Sequence, residues 1–278
     1  MPADIRKFQK EVWAYYRAHG RYNLPWRKTR DPYKILVSEV MLQQTQVPRV
    51  LEKYKEFLDA FPTVQECARA PLAHILKIWN GLGYNRRGKY LHDAAKKIVK
   101  IGNIKKALME PLPGVGPYTR AAVRTFAYNE PHTMIETNIR TAFIHHFFPS
   151  RNANGRRQDG NTSVHDRDLI TLIETAAADQ DPREWHWALM DYGSYLKKQF
   201  PNPSRKSAGY TKQSKFEGSL RQVRGAILRE LHKGPQKEML LLARLNLATP
   251  KSDFGKRALA GLEKDGMIEK VKGKWRIS

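Results

Sequence analysis

Leu112-Pro113-Gly114-Val115-Gly116-Pro117-Tyr118-Thr119 is the stretch on which the fold of this chain turns. Gly114 and Gly116 can take positive φ and let a backbone approach a partner closely. Pro117 suits the first position of a helix, and Tyr118 to Tyr128 continues as that helix. The segment reads as a tight hairpin leading into a helix N-terminus, where free amides attract an anion. A lone acid, Glu136, follows in Ile135-Glu136-Thr137-Asn138. A phosphate grip and a carboxylate therefore stand in neighbouring elements.

Working outward, the first two hundred residues read as helix after helix. Apolar spacing of three and four predicts helices over 4–19, 33–46, 50–60, 71–79, 87–99, 117–128, 137–148, 166–178 and 183–198. Short connections marked by Pro or Gly join them. Ser150 to Ser163 is polar, with Asn154-Gly155 and Asp159-Gly160, and is expected to be a mobile loop. A composition shift at Pro201 to Lys215 predicts a basic linker. Beyond it, helices over 220–231, 237–245 and 252–264 precede two strands, 267–271 and 274–278, around Lys272-Gly273. That pattern predicts a winged helix–turn–helix, whose third helix would carry Lys251, Lys256 and Arg257 to DNA. The same module could instead bind protein. The expected division is 1–199 as a helical domain, 200–216 as linker and 217–278 as a winged-helix-like domain.

Charge agrees with the hairpin. In 278 residues, Lys plus Arg number 50 against 27 acids, a net +23. Such an excess favours a polyanionic partner, most simply nucleic acid. Cys67 is the only cysteine, which excludes an intramolecular disulfide and a four-cysteine zinc or iron–sulfur site. Cys67 itself reads as a small buried apolar residue. No run is long enough to span a membrane, and Asp4 and Lys7 interrupt any signal-like segment. An intracellular, cytoplasmic protein is expected, on the nucleoid if prokaryotic. His145 and His146 read as packing or phosphate-facing residues, not metal ligands.

Three further segments complete the pattern: Leu24-Pro25-Trp26-Arg27, Ser38-Glu39-Val40-Met41-Leu42-Gln43-Gln44-Thr45-Gln46, and Gly81-Leu82-Gly83-Tyr84. Each is weak alone. In this order, with the hairpin, they resemble the helix–hairpin–helix (HhH-GPD) DNA glycosylase superfamily, most closely the MutY adenine glycosylases. The resemblance runs from about Leu24 to Tyr195. It implies an all-α, two-lobed helical fold, with the winged-helix-like module and its small β-hairpin appended.

The resemblance also implies roles. Cleaving an N-glycosidic bond leaves positive charge on the sugar and negative charge on the base, so one acid and one carboxylate are needed. Glu39 matches the acid that protonates the adenine, and Trp26 and Leu42 would raise its pKa by burial. Glu136 stands where the family has a cation-stabilising Asp. Trp26, Arg27, Leu42, Tyr118 and Asp191 match the base pocket, and Gln44 and Tyr84 match side chains that wedge into the duplex. Further DNA contacts are expected from Gln43, Arg86, Gly114, Val115, Gly116, Thr119, Asn138, Lys197 and Lys198, with Arg205 and Lys206 in the linker and Lys256 and Arg257 in the module. Tyr118 replaces the lysine of bifunctional relatives, which predicts a monofunctional enzyme that leaves an abasic site.

The departures are the Glu at 136, the missing cysteine loop after Tyr195, and a C-terminal region too short and too helical for the Nudix-like domain that reads 8-oxoguanine. No iron–sulfur cofactor is expected. A monovalent cation at the Gly114–Gly116 hairpin stays open. The expected partner is double-stranded DNA with a lesion or mismatch, bound by a monomer. Adenine opposite guanine or 8-oxoguanine leads the substrates. Other lesions (mismatched thymine or uracil, deaminated or alkylated bases) and a non-catalytic DNA-structure-binding protein are the alternatives.

Overall fold

The computed structural model describes residues 3–149, 163–212, 215–245 and 252–278. The stretch 150–162, expected to be a loop, and Lys251 lie outside the described residues. Along the chain run α1 (Ala3–His19), α2 (Pro32–Leu42), α3 (Val47–Ala60), α4 (Val64–Arg69), α5 (Leu72–Trp79), α6 (Arg86–Ile101), α7 (Ile104–Ala107), α8 (Pro117–Tyr128), α9 (Thr137–Phe147), α10 (Asp166–Ala177) and α11 (Pro182–Gln199). Then come α12 (Leu220–Leu231), β1 (Gln236–Lys237), α13 (Glu238–Arg244), α14 (Ser252–Lys264), β2 (Ile268–Val271) and β3 (Lys274–Ile277).

Two compact units emerge, and they interleave along the chain: 1–35 with 117–212, and 36–116 with 213–278. The first is built on α1, α9, α10 and α11. Phe8 and Val12 of α1 are buried with Phe143 of α9 and Trp185 and Leu189 of α11. The rings of Phe8 and Phe143 lie 4.8 Å apart at 56°, and Trp185 meets Phe8 edge-on. Each such aromatic contributes roughly 1.5–3 kcal/mol by leaving water. Gln9 reaches across to donate to the Ala176 carbonyl at 2.9 Å, satisfying a polar atom inside this core.

In the second unit α6 packs on α4 and α5, with α3 on α5. The short α4 is not predicted by the apolar spacing. It begins at a capping box, Thr63 with Glu66, in which Oγ1 of Thr63 accepts from the Glu66 amide and Glu66 accepts from the Thr63 amide.

The C-terminal module follows the expected order of elements with one correction. Its sheet has three strands, not two: β3 is central, pairing antiparallel with β2 and with β1, where Gln236 faces Trp275. The module also shares its core with α5. Leu76 is buried with Ile227, Leu231, Leu241, Leu259, Met267 and Trp275, and Leu72 packs against the same cluster. Asp265, beyond α14, pairs with Arg86 of α6 at 2.7 Å and with Arg224 of α12.

The expected linker is partly built into the first unit. Val164 and Ser207 form a parallel bridge, with Val164 N donating to Lys206 O at 2.8 Å and Ala208 N to Val164 O at 2.9 Å. Ser204 and Ser207 are buried. A short 3-10 turn, Pro203–Lys206, is capped by Asn202.

Candidate functional site

The hairpin forms as its glycines require. Leu112 and Val115 bridge, and Val115 N donates to Leu112 O at 3.1 Å. Gly114 takes φ 69°, and a Cβ there would meet Cβ of Tyr90 at 2.7 Å. Gly116 keeps an ordinary negative φ, so of the two glycines only Gly114 needs its freedom. Both glycines are exposed, whereas Val115 and Thr119 are buried. Thr119 therefore has little surface to offer a phosphate. The exposed hairpin backbone supplies carbonyl oxygens, the donor type that suits a monovalent cation. No cluster of metal-ligating side chains occurs among the described residues.

Glu39 lies in the densest part of α2. Ile35, Leu36, Val37, Ser38, Val40 and Met41 around it are buried, and Glu39 itself is 8% exposed. A carboxyl at that depth is not explained by a solvated helix face.

The helix expected to run to residue 46 stops at Leu42, and the reason is Arg87. This buried side chain donates through Nη1 to the carbonyls of Val40 (2.9 Å), Met41 (3.0 Å) and Gln43 (2.5 Å). Through Nη2 it reaches Thr45 Oγ1 (3.0 Å) and the carbonyls of Leu82 and Gly83 (3.1 Å each). One guanidinium thus satisfies the orphan carbonyls at the end of α2 and ties that turn to the Gly81–Tyr84 turn. Gln44 and Tyr84, the expected wedge residues, ride on these turns, and both take positive φ (54° and 47°). A strained backbone of this kind persists only where its surroundings impose it. Burial lowers the Arg87 guanidinium to about 10. Sequence reasoning missed Arg87 because nothing local distinguishes it from its neighbour Arg86.

In the other unit Glu136 is the N-cap of α9. Its Oε1 accepts from the amides of Asn138 (2.6 Å) and Ile139 (2.8 Å), and Oε2 accepts from Asn138 Nδ2 at 3.2 Å. The extra methylene relative to Asp is folded back toward the helix terminus. Gly193 of α11 lets the first turn of α9 approach closely: a Cβ at Gly193 would lie 2.0 Å from the Asn138 carbonyl oxygen. One turn on, Lys197 Nζ donates to Asn138 Oδ1 at 2.8 Å. Burial pushes the Glu136 carboxyl up from its ordinary value, while the two amides, Lys197 and Arg140 pull it back. Burial also lowers the Lys197 ammonium. Lys197, expected at a DNA phosphate, instead steadies the turn that holds Glu136. Lys206 likewise donates to the Phe148 carbonyl at 2.8 Å, while Lys198 is exposed.

Asp191 is buried and fully engaged. Arg27 grips it as a fork, Nη1 and Nη2 each donating at 2.8 Å, and Arg21 adds its backbone N (2.8 Å) and Nε (2.6 Å). Burial raises its pKa, but the Arg27 and Arg21 contacts outweigh that and leave the carboxyl below its usual range. With both oxygens taken, Asp191 is placed to orient Arg27 rather than to reach a base edge. Arg27 also lies 5.4 Å from the Trp187 ring centroid. Trp26 is buried beside it in the 3-10 turn Pro25–Arg27, and Tyr118 is half-buried at the start of α8. In the module, Lys256 and Arg257 are exposed on α14, and in the first unit His146 packs against Phe8 and meets the Tyr192 hydroxyl at 2.8 Å.

Residues 37–162 match the HhH-GPD superfamily of base excision DNA repair proteins. The chain is similar to the adenine DNA glycosylase of Mycobacterium tuberculosis (strain ATCC 25618 / H37Rv), 35% identical over 198 residues that cover 69% of this chain and 62% of that protein. It is also similar to adenine DNA glycosylases of Buchnera aphidicola subsp. Baizongia pistaciae (31%; 68% of this chain, 52% of that one) and Rattus norvegicus (35%; 49% and 29%). The chain thus spans between 29% and 62% of the length of these relatives. Among solved structures, a thermostable thymine-DNA glycosylase superposes with TM-score 0.56 at 27% identity, covering 69% of this chain and 86% of that one. An endonuclease III trapped on DNA shares the fold, with TM-score 0.50 at 17% identity over 78% of this chain and 92% of that one.

Proposed function

With residues 37–162 belonging to the HhH-GPD superfamily of base excision DNA repair proteins, we propose that the chain is a monofunctional DNA glycosylase that removes a purine, first of all adenine mispaired with guanine or 8-oxoguanine. The observation that carries this reading is Glu39, a carboxyl embedded in the buried run of α2. The adenine glycosylase relatives support the substrate class.

The chemistry follows from the groups present. The C1′–N bond breaks with its electron pair going to the base, which Glu39 protonates. Glu136, ionised, stabilises the sugar cation. Water then adds to C1′ and gives up a proton to a carboxylate, leaving base and abasic sugar. Oε2 is the oxygen of Glu136 less committed to its helix, and is the one to face the sugar. By the family resemblance Trp26, Tyr118 and Arg27, the last aimed by Asp191, are base-pocket residues, and so is Leu42. Gln44 and Tyr84 fill the stack that the flipped base vacates. If a monovalent cation binds, backbone carbonyls of the Gly114–Gly116 hairpin would hold it and it would supply positive charge for a DNA phosphate; no step runs through it.

A second reading, thymine or uracil opposite guanine, is favoured by the likeness to the thymine-DNA glycosylase. A panel of duplexes decides between them: adenine opposite 8-oxoguanine or guanine, thymine and uracil opposite guanine, and hypoxanthine, with alkali cleavage reporting abasic sites. Release of adenine, reduced about 10²–10⁴-fold in Glu39→Gln, is expected. Tight binding with no product from any duplex would leave a non-catalytic DNA-binding protein.

A further inference from the structure

Within the unit formed by 36–116 and 213–278, a cavity of about 620 Å³ is lined by, among others, Gln44, Tyr84, Arg86, Gly114, Arg221 and Arg224. That volume lies in the range, roughly 300–1,000 Å³, of sites that enclose compact ligands. The C-terminal module supplies one wall: Ser219 and Leu220 lead into α12, which carries Arg221 and Arg224. The opposite wall is made of the wedge turns that Arg87 holds together. Among the described residues, no acidic side chain lines the cavity.

The geometry points to this cavity as a binding site for an unstacked nucleotide of the DNA, its base against Tyr84 and its phosphate between Arg221 and the hairpin at Gly114. This rests on the reading of the chain as a DNA glycosylase and assigns the C-terminal module a part in it. The lining is what a nucleotide asks for: an aromatic face, side-chain amides that read base edges, and guanidiniums that bind phosphate in a fork. The Arg221 guanidinium lies 4.8 Å from the Tyr84 ring centroid, and its Nη1 meets the Tyr84 hydroxyl. No base fits between groups so close. A base stacking on Tyr84 therefore displaces Arg221 from the ring and frees its charge for the phosphate. Arg86 and Arg224 are both tied to Asp265, which fixes α12 beside α6, while Arg221 lies over Tyr84 and, at 5.6 Å, over the Phe216 ring. In this arrangement α12, not the expected α14, is the module's DNA-facing helix at the wedge.

The test uses the full chain and two duplexes, one fully paired and one with a nucleotide opposite a tetrahydrofuran abasic analogue. Arg221→Ala is expected to weaken binding of the second duplex about tenfold and to lower its salt slope by about one counterion, with little change on the first. Arg221→Lys should restore the slope. A 2-aminopurine opposite the analogue should be quenched by the wild-type protein and not by Tyr84→Leu. Unchanged affinity and slope in Arg221→Ala, or an equal loss on both duplexes, overturns the assignment while leaving the glycosylase reading intact. Failure of the wild-type protein to bind either duplex overturns both.

Discussion

Arg87→Met is the sharpest perturbation of the wedge. It keeps an unbranched stem and removes the guanidinium, which lies 5.5 Å from the Trp79 ring centroid. Five backbone carbonyls lose a donor: Val40, Met41, Gln43, Leu82 and Gly83. At about 1 kcal/mol each the gross loss is ~5 kcal/mol. Burying the guanidinium opposes this, since burial has lowered its pKa to about 10, and water can reach the turn edges. A net destabilisation of about 2–3 kcal/mol follows, a fall in melting temperature of roughly 5–10 °C. Function should suffer more than stability, because Gln44 and Tyr84 hold left-handed conformations that the free turns would not keep. The assay pairs urea unfolding with binding to a duplex carrying an abasic analogue. Arg87→Lys, with a point charge in place of a planar fork, should fall between. A variant that unfolds at the wild-type midpoint and binds as tightly would refute the claim that this arginine organises the wedge.

Other consequences follow for the two carboxylates. Asp191→Asn leaves the buried Arg27 without its counter-charge and should destabilise by about 3–5 kcal/mol, read as a lower urea midpoint. Because the folded pKa of Asp191 is depressed, that stabilisation is present above the ordinary carboxylate range and disappears as pH falls through the depressed value, so mutant and wild-type midpoints should converge in acid. Glu136 has the opposite sign: its raised pKa means that activity needing the ionised form appears only above the ordinary carboxylate range, and a wild-type acid limb at or below an unperturbed Glu would contradict this. Gly193→Ala should push the start of α9 off α11 and lower kcat with little change in KM for DNA, whereas an unaltered kcat would show that the Glu136 turn tolerates the shift. Borohydride should trap no enzyme–DNA adduct, because Tyr118 lacks the amine that forms one, and strong trapping would overturn the monofunctional reading.

Much of this was legible in the chain itself. Helical periodicity located the long helices because each carries a wide apolar stripe, and the hairpin was marked by glycines with few other uses. Glu39 and Glu136 were readable as chemistry through the family resemblance, Glu39 within the Ser38 to Gln46 run and Glu136 at the position of an Asp. What stayed hidden depends on distant partners. The end of α2 is set by Arg87, dozens of residues away. Asp191 carries no local sign that Arg21 and Arg27 will occupy both its oxygens. The short strand β1 exists only because β3 lies beside it. α4, by contrast, was announced by Thr63-x-x-Glu66 and went unread because its apolar stripe is so short.

The interleaving of the two units bears on how the protein is made. Residues 36–116 emerge from a ribosome early, yet Leu72 and Leu76 await a core supplied by 213–278. The other unit must likewise join 1–35 to 117–212 across that waiting segment. Neither can close in the order of synthesis, so apolar helix faces stay uncovered until late in translation. A nascent chain halted before α12 should engage chaperones through α5. Release of that grip, rather than the appearance of helix, would mark the moment when the second unit is complete.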